Sequence, residues 1–273
     1  MTLTFNEATH RYRLDGRPVP NVTTILNAGL PKGDALTRWA ARVTAEHAVS
    51  LAVPDDPESP PFVVSLVERE GPEGAVEALV SQHKRTKNAA AARGTLVHDL
   101  AERIAHGEEV DVPDDVAPLV GGYVVWLDLF DPHVVMTETL VFSREHWYAG
   151  KFDLIADIGG VRWLLDLKTS RGVYDDTALQ LAAYAGAERM IDRATGEELR
   201  MPDVERIGVV HVTADGTDLY DLGDINHAHR EFLACLSTYR GVRRRSRDKL
   251  PGDPITPVEA GAAPMLWTNG DLS

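Results

Sequence analysis

The chain has one cysteine, Cys235, in 273 residues. One thiol forms no internal disulfide, and it cannot supply a four-cysteine zinc or iron–sulfur site. Long apolar runs are also missing. Stretches such as Tyr123 to Leu127 fall far short of the roughly 20 residues that a membrane span needs. The opening, MTLTFNEATHRYRLDG, lacks the apolar core of a signal peptide. Positive charge is scarce: 28 Lys+Arg face 42 Asp+Glu, a net charge of −14. A chain this acidic is a poor nonspecific DNA binder, because the phosphate backbone rewards clustered Lys and Arg. These absences point to a reduced, cytoplasmic setting with no membrane partner. What is present is ordinary for a soluble globular protein: 44% hydrophobic and 26% charged residues. The length suits one elaborated domain or two small ones.

The pattern along the chain predicts an α/β fold. Tyr12 to Val22 reads as a hairpin turning at Asp15-Gly16, with a helix starting near Thr23 and Thr24. Asp34 to Leu51 has helical composition, and PDDPESPP at 54–61 is a linker. Ala75 to His106 is again helical, with a break expected at Gly94. An acidic loop, Gly107 to Pro118, precedes a helix over Val120 to Phe130. Three strands follow at Val134–Phe142, Gly150–Ile158 and Val161–Thr169, the last two joined by a tight Gly159-Gly160 turn. An Ala-rich helix is expected over Ala178 to Ile191. A strand at Val204–Val212, a short one at Asp218–Tyr220 and a helix from His227 to Arg240 complete the order. This divides the chain into a mainly helical part over 1–130, a core over 131–250 and a tail over 251–273, within one integrated domain. The core is a sheet flanked by helices, with a helical N-terminal elaboration.

The densest chemistry lies in GKFDLIADIGGVRWLLDLKTS, from Gly150 to Ser170. Side chains two apart on a strand share a face, so Asp166 and Lys168 point one way and Leu165 and Leu167 the other. The hairpin brings Asp153 onto the neighbouring strand. Two carboxylates held close need a compensating cation, and oxygen ligands suit Mg²⁺ or Mn²⁺. A lysine beside them would orient or deprotonate a water, or steady charge developing on a phosphate. Those are the needs of metal-assisted phosphodiester hydrolysis. Asp157, in phase with Asp153, is a rival first carboxylate, although its place near the turn favours solvent. Gln180 and Tyr184 share one face of the following helix. They reach over the site, or Gln180 is a buried side chain bonded to backbone. His98 is either a ligand or a helix neighbour of Glu102.

Taken together, R-G-x-x-x-H ending at His98, G-K-x-D ending at Asp153, D-L-K-T-S from Asp166 and Q-x-x-x-Y over Gln180 and Tyr184 resemble one family. It is the RecB-type exonuclease branch of the PD-(D/E)XK nuclease superfamily. The resemblance covers Arg93 to Tyr184. The opening, His10-Arg11-Tyr12 followed by Val22-Thr23-Thr24-Ile25-Leu26, is similar to phage-encoded members. By position, the resemblance implies that His98, Asp153 and Asp166 bind metal, with the Leu167 carbonyl as a further ligand. Lys168 would assist the attacking water, and Gln180 and Tyr184 would support the site. Glu138 matches an acidic residue often found in the preceding strand. Asp166 stands where many relatives have Glu. The cysteines that hold an iron–sulfur cluster in some relatives are missing, so no cluster is expected.

The implied fold is a restriction-endonuclease-like α/β core. The implied activity is a Mg²⁺- or Mn²⁺-dependent DNA exonuclease of phage recombination, replication or processing, in the host cytoplasm. DNA, and a single-strand annealing protein, are the implied partners. An inactive DNA-end-binding protein and a site-specific endonuclease are the alternatives, and the oligomeric state stays open. Two basic runs go against the global charge: Lys84, Arg85, Lys87 and Arg93 before His98, and Arg240, Arg243, Arg244, Arg245, Arg247 and Lys249 near the end. Either run could contact phosphates. Trp39, Trp126, Trp147 and Tyr148 are candidates for stacking on bases.

Overall fold

The computed structural model describes residues 3–7, 9–30, 34–53 and 62–249. The 54–61 linker and the 251–273 tail therefore lie outside the described residues. A small antiparallel sheet opens the chain: β1 (Leu3–Asn6), β2 (Arg11–Leu14) and β3 (Arg17–Val19). Five helices follow: α1 (Val22–Gly29), α2 (Ala35–Ala52), α3 (Phe62–Val80), α4 (Gln82–Ala105) and α5 (Ala117–Phe130). The core continues with β4 (His133–Ser143), β5 (Tyr148–Ile158), β6 (Val161–Lys168), α6 (Asp176–Ala185), β7 (Arg189–Ile191), β8 (Glu198–Arg200), β9 (Arg206–Thr213), β10 (Gly216–Asp221) and α7 (Ile225–Arg247).

Local chemistry explains most boundaries. Asn21 caps α1 by accepting the Thr24 N–H at 2.6 Å, and Asp224 caps α7 by accepting the His227 N–H at 2.9 Å. Gly159 and Gly160 take positive φ, 58° and 83°, which sets the β5–β6 hairpin turn. Two expectations fail. The helical stretch before His106 does not break at Gly94: a glycine costs a helix only about 1 kcal/mol, and α4 has 24 residues in which to absorb that. The interruptions fall earlier, at Gly71-Pro72, where Gly71 takes φ 74°, and around Ser81 between α3 and α4. The Ala-rich helix also stops at Ala185 rather than Ile191. Gly186 caps it, and Arg189–Ile191 pairs with β4 as β7, burying Met190 and Ile191.

Seven strands form a mixed sheet in the order β10-β9-β6-β5-β4-β7-β8. β6 and β9 run parallel and the other pairs antiparallel. Helices cover both faces. On one face Val22, Ile25, Leu181 and Phe232, from α1, α6 and α7, pack against Phe152, Ile155, Leu164 and Ile207. On the other, Val97, Leu100, Val120 and Trp126, from α4 and α5, pack against Leu154, Leu165, Leu167 and Val210. The small sheet sits against Phe142, Ala149 and Ile191. The N-terminal helices α4 and α5 are thus one layer of the core. No helix among the described residues is long and apolar enough to cross a membrane.

α1 and α7 approach closely through Gly29, where an added Cβ would lie 2.4 Å from Cys235 Cβ. Gly29→Ala should therefore force the two helices apart, at a cost of about 1–3 kcal/mol. Urea unfolding of the variant beside the wild type measures this, and an unchanged midpoint would show that the contact yields freely.

Candidate metal centre and its cleft

An open cleft of about 980 Å³ lies over β4, β5 and β6. α4 forms one wall with Ala91, Gly94, Thr95, His98 and Glu102. The small sheet forms another with Phe5, His10 and Tyr12. Gln180 and Tyr184 reach in from α6. Tyr184 lies flat against β5 only because position 150 is glycine: a Cβ there would sit 2.2 Å from its ring.

His98, Glu138 and Asp153 converge on one spot. Each offers a ligand atom, and these atoms lie within 4.8 Å of one another. His98 Nδ1 is 3.3 Å from Asp153 Oδ2. Glu138 gets there through an unusual backbone. Its neighbours pair as Thr137↔Leu154 and Thr139↔Phe152, which sets it opposite Asp153, yet it takes φ 45° inside β4. A non-glycine residue held in the left-handed region carries strain of order 1–3 kcal/mol, and such strain clusters at functional sites. Lys151 on β5 forms an ion pair with the Glu138 carboxylate.

Asp153 itself replaces a rung of the sheet. The β5–β6 register runs from Ile158↔Val161 to Leu154↔Leu165 and ends one position short of Asp153 and Asp166. There the Leu167 N–H donates to Asp153 Oδ2 at 2.9 Å. Burial pushes the Asp153 carboxyl up to about 6. Its neighbours pull in both directions: His98 and Lys168 lower it, and Asp166 and Glu138 raise it. Asp166 is 3% exposed. Its Oδ2 lies 2.6 Å from Lys168 Nζ in a close ion pair. Gln180 Nε2 stands 3.5 Å from its Oδ1, a long contact. Burial alone would lower the Lys168 pKa, but Asp166 and Asp153 outweigh it and leave the ammonium above its ordinary value. Lys168 is therefore a cation in the metal-free site, which favours orienting a water over deprotonating one.

The residue types fit a divalent cation: two carboxylates and one imidazole, with the Asp166–Lys168 ion pair beside them. Glu138, expected as an acidic residue of the preceding strand, lies with His98 and Asp153, and Asp166 lies against Lys168 with Gln180 near its other oxygen. Leu167 lines the cleft. Asp157 is held away by Arg162, at 2.8 and 2.9 Å.

The expected nucleic-acid contacts divide. Lys87 and Lys84 precede His98 by about three and four helical turns, so they stand on the same stripe of α4, both exposed and beyond the residues that line the cleft. Arg85 is turned off that stripe and donates to Ser81 Oγ. Arg93 borders a separate depression with Arg171 and Asp115. Arg240 donates to the His146 carbonyl at 2.7 Å. Arg243, Arg244, Arg245 and Arg247 are exposed on the last turns of α7, and none of them lines the cleft. Trp126 and Tyr148 are fully buried and cannot stack on a base. Their rings are core because α5 and β5 face inward at those positions. Trp39 is half-buried on α2, and Trp147 is covered by the Arg17 guanidinium.

Sequence reading also missed a network at one end of the cleft. Thr137 donates to Glu102 at 2.8 Å, His106 donates to Thr137 at 3.0 Å, and Arg193 ion-pairs with Glu102. Glu102 is therefore not the partner of His98. No local signal marks Arg193, which sits in a turn between two strands too short to read.

No family model and no curated protein matches this chain. Among solved structures it is similar to the crystal structure of SSO0001, at 16% identity and a TM-score of 0.29, over 74% of this chain and 85% of that one. A likeness this slight carries no argument about fold or function.

Proposed function

We propose that the chain is a divalent-metal-dependent DNA exonuclease. The observation that carries this reading is the convergence of His98, Glu138 and Asp153 beside the buried Asp166–Lys168 pair, inside an open cleft. The motif order from Arg93 to Tyr184 supports it, and with it a PD-(D/E)XK-like description of the core. His98, Glu138 and Asp153 would hold Mg²⁺ or Mn²⁺, and the imidazole leans the choice toward Mn²⁺. Such an ion supplies Lewis acidity toward a phosphoryl oxygen and a more acidic water.

The chain's own residues do the rest. Lys168, a fixed cation, orients a water and steadies charge developing on the phosphate. Asp166 fixes the Lys168 ammonium, and Gln180 holds the far side of Asp166. Lys151 is placed to meet a phosphate when Glu138 turns to a cation. Lys84 and Lys87 extend the wall of the cleft with positive charge that a backbone can follow. A role in phage DNA recombination, replication or processing, with a single-strand annealing protein as partner, belongs to the same proposal.

The deciding experiment digests end-labelled linear DNA, single- and double-stranded, beside covalently closed circles, with Mg²⁺, Mn²⁺ or EDTA. Metal-dependent loss of linear DNA with circles intact is expected, and the label position gives the polarity. Cleaved circles would replace the proposal with a site-specific endonuclease. Binding of DNA ends without turnover in either metal would replace it with an end-binding protein.

A further inference from the structure

The cleft is bridged at one end, and we propose that this bridge, Arg193 with Glu102, is a stop that confines hydrolysis to the last nucleotides of a DNA strand. The inference rests on the nuclease reading and adds what makes the nuclease end-specific. Arg193 comes from the turn between β7 and β8 and Glu102 from α4, and both line the cleft that holds the metal centre. Glu102 is the anchored half. Its carboxylate accepts the Thr137 hydroxyl, which is held in turn by His106. The turn that carries Arg193 is fixed by Asp192 Oδ1, which accepts the Ala194 and Thr195 N–H groups at 2.9 and 2.8 Å.

The two ends of α4 differ. Towards its start, Lys84 and Lys87 are exposed on the same stripe as His98, beyond the cleft lining, so a phosphate backbone is attracted there. Towards its finish, a strand meets the bridge. If Arg193 swings aside, the strand still meets the Glu102 carboxylate, and like charges brought together cost several kcal/mol. Glu102 lies one helical turn beyond His98, about 6 Å along the axis. Along one strand of duplex DNA the phosphates rise about 3.4 Å per nucleotide on the helix axis, and along the backbone itself they lie farther apart than that. There is thus room for about one nucleotide between the metal centre and the stop.

The test reads product size, which general damage to the site would not change. Wild type, Arg193→Lys, Arg193→Ala and the double variant Glu102→Gln/Arg193→Ala are incubated with labelled single strands and closed single-stranded circles in Mn²⁺. Wild type and Arg193→Lys should release mainly mononucleotides and spare circles. The double variant should release longer products and nick circles about tenfold faster or more, since it removes both the obstacle and the repelling charge. Arg193→Ala should shift products the same way by less. Its side chain is half-exposed, so this variant also reads the stop if the double variant folds poorly. Wild-type product sizes from both alanine variants, or circles already cut by the wild type, would overturn the stop. A wild type that cleaves nothing would instead overturn the nuclease reading beneath it.

Discussion

Asp153→Asn should abolish both metal binding and hydrolysis while making the metal-free protein less sensitive to pH. In the wild type, Mn²⁺ at a hundredfold excess over its dissociation constant should stabilise the fold by about 2.7 kcal/mol. In the variant the centre loses an anionic ligand, and this gain should vanish. The pH effect has a definite sign. Burial raises the Asp153 carboxyl to about 6 in the folded protein, above its ordinary value of 3.8. The folded state therefore holds that proton more firmly than the unfolded chain does. The stability from it is fully present below about pH 4 and is lost as pH rises through about 6. Across this window the wild type in EDTA should lose on the order of 2–3 kcal/mol relative to Asp153→Asn. Urea unfolding at pH 4, 5, 6 and 7 measures the difference. Parallel curves for the two proteins would show that Asp153 is not desolvated. By the same linkage, metal should stabilise the wild type more at pH 7 than at pH 5, because below about 6 it must displace the proton.

Lys168→Ala should leave Mn²⁺ binding in place and lower the rate of cleavage by about 10²–10³-fold, the usual loss when a preorganised charge is removed from a developing oxyanion. The substitution also strands the buried Asp166 carboxylate, so the metal-free variant should unfold more easily than the wild type. Kinetics belong at a temperature where the variant is folded, checked by circular dichroism. A kcat within a factor of about 3 of the wild type would remove Lys168 from the chemistry and assign it to stabilising Asp166 alone.

The sequence carried its clearest information where structure is local. The β5–β6 hairpin was legible because Gly159-Gly160 joins two alternating strands. The helices from Asp34 and His227 are legible from composition. The Ala-rich run ends sooner than its composition suggests, because the strand of only three residues beside it looks like more helix. Gly94 was over-read as a break, because propensity sums across a long helix and one glycine does not decide it. For the site, Asp153, Asp166 and Lys168 stand out as types at telling spacings, and His98 enters only through the resemblance to RecB-type nucleases. Which of them share a ligand position does not stand out.

That last distinction belongs to pairing and packing. By itself the sequence determined an α/β chain, its hairpins, and a short list of acids, one lysine and one histidine near three strands. The hairpins, acids and lysine follow from periodicity, turn chemistry and residue type within a few positions, and the histidine from the order of motifs that resembles a nuclease family. Only the tertiary structure brought Glu138 to one spot with His98 and Asp153. Two events fix it: the left-handed backbone at Glu138, and the end of the β5–β6 register, where Asp153 takes the Leu167 N–H. Only the tertiary structure joined Arg193 to Glu102, two residues from distant elements. Such contacts depend on which strand is the neighbour of which, and that order is set by burying two helical layers against one sheet, a long-range balance that no short window of sequence contains.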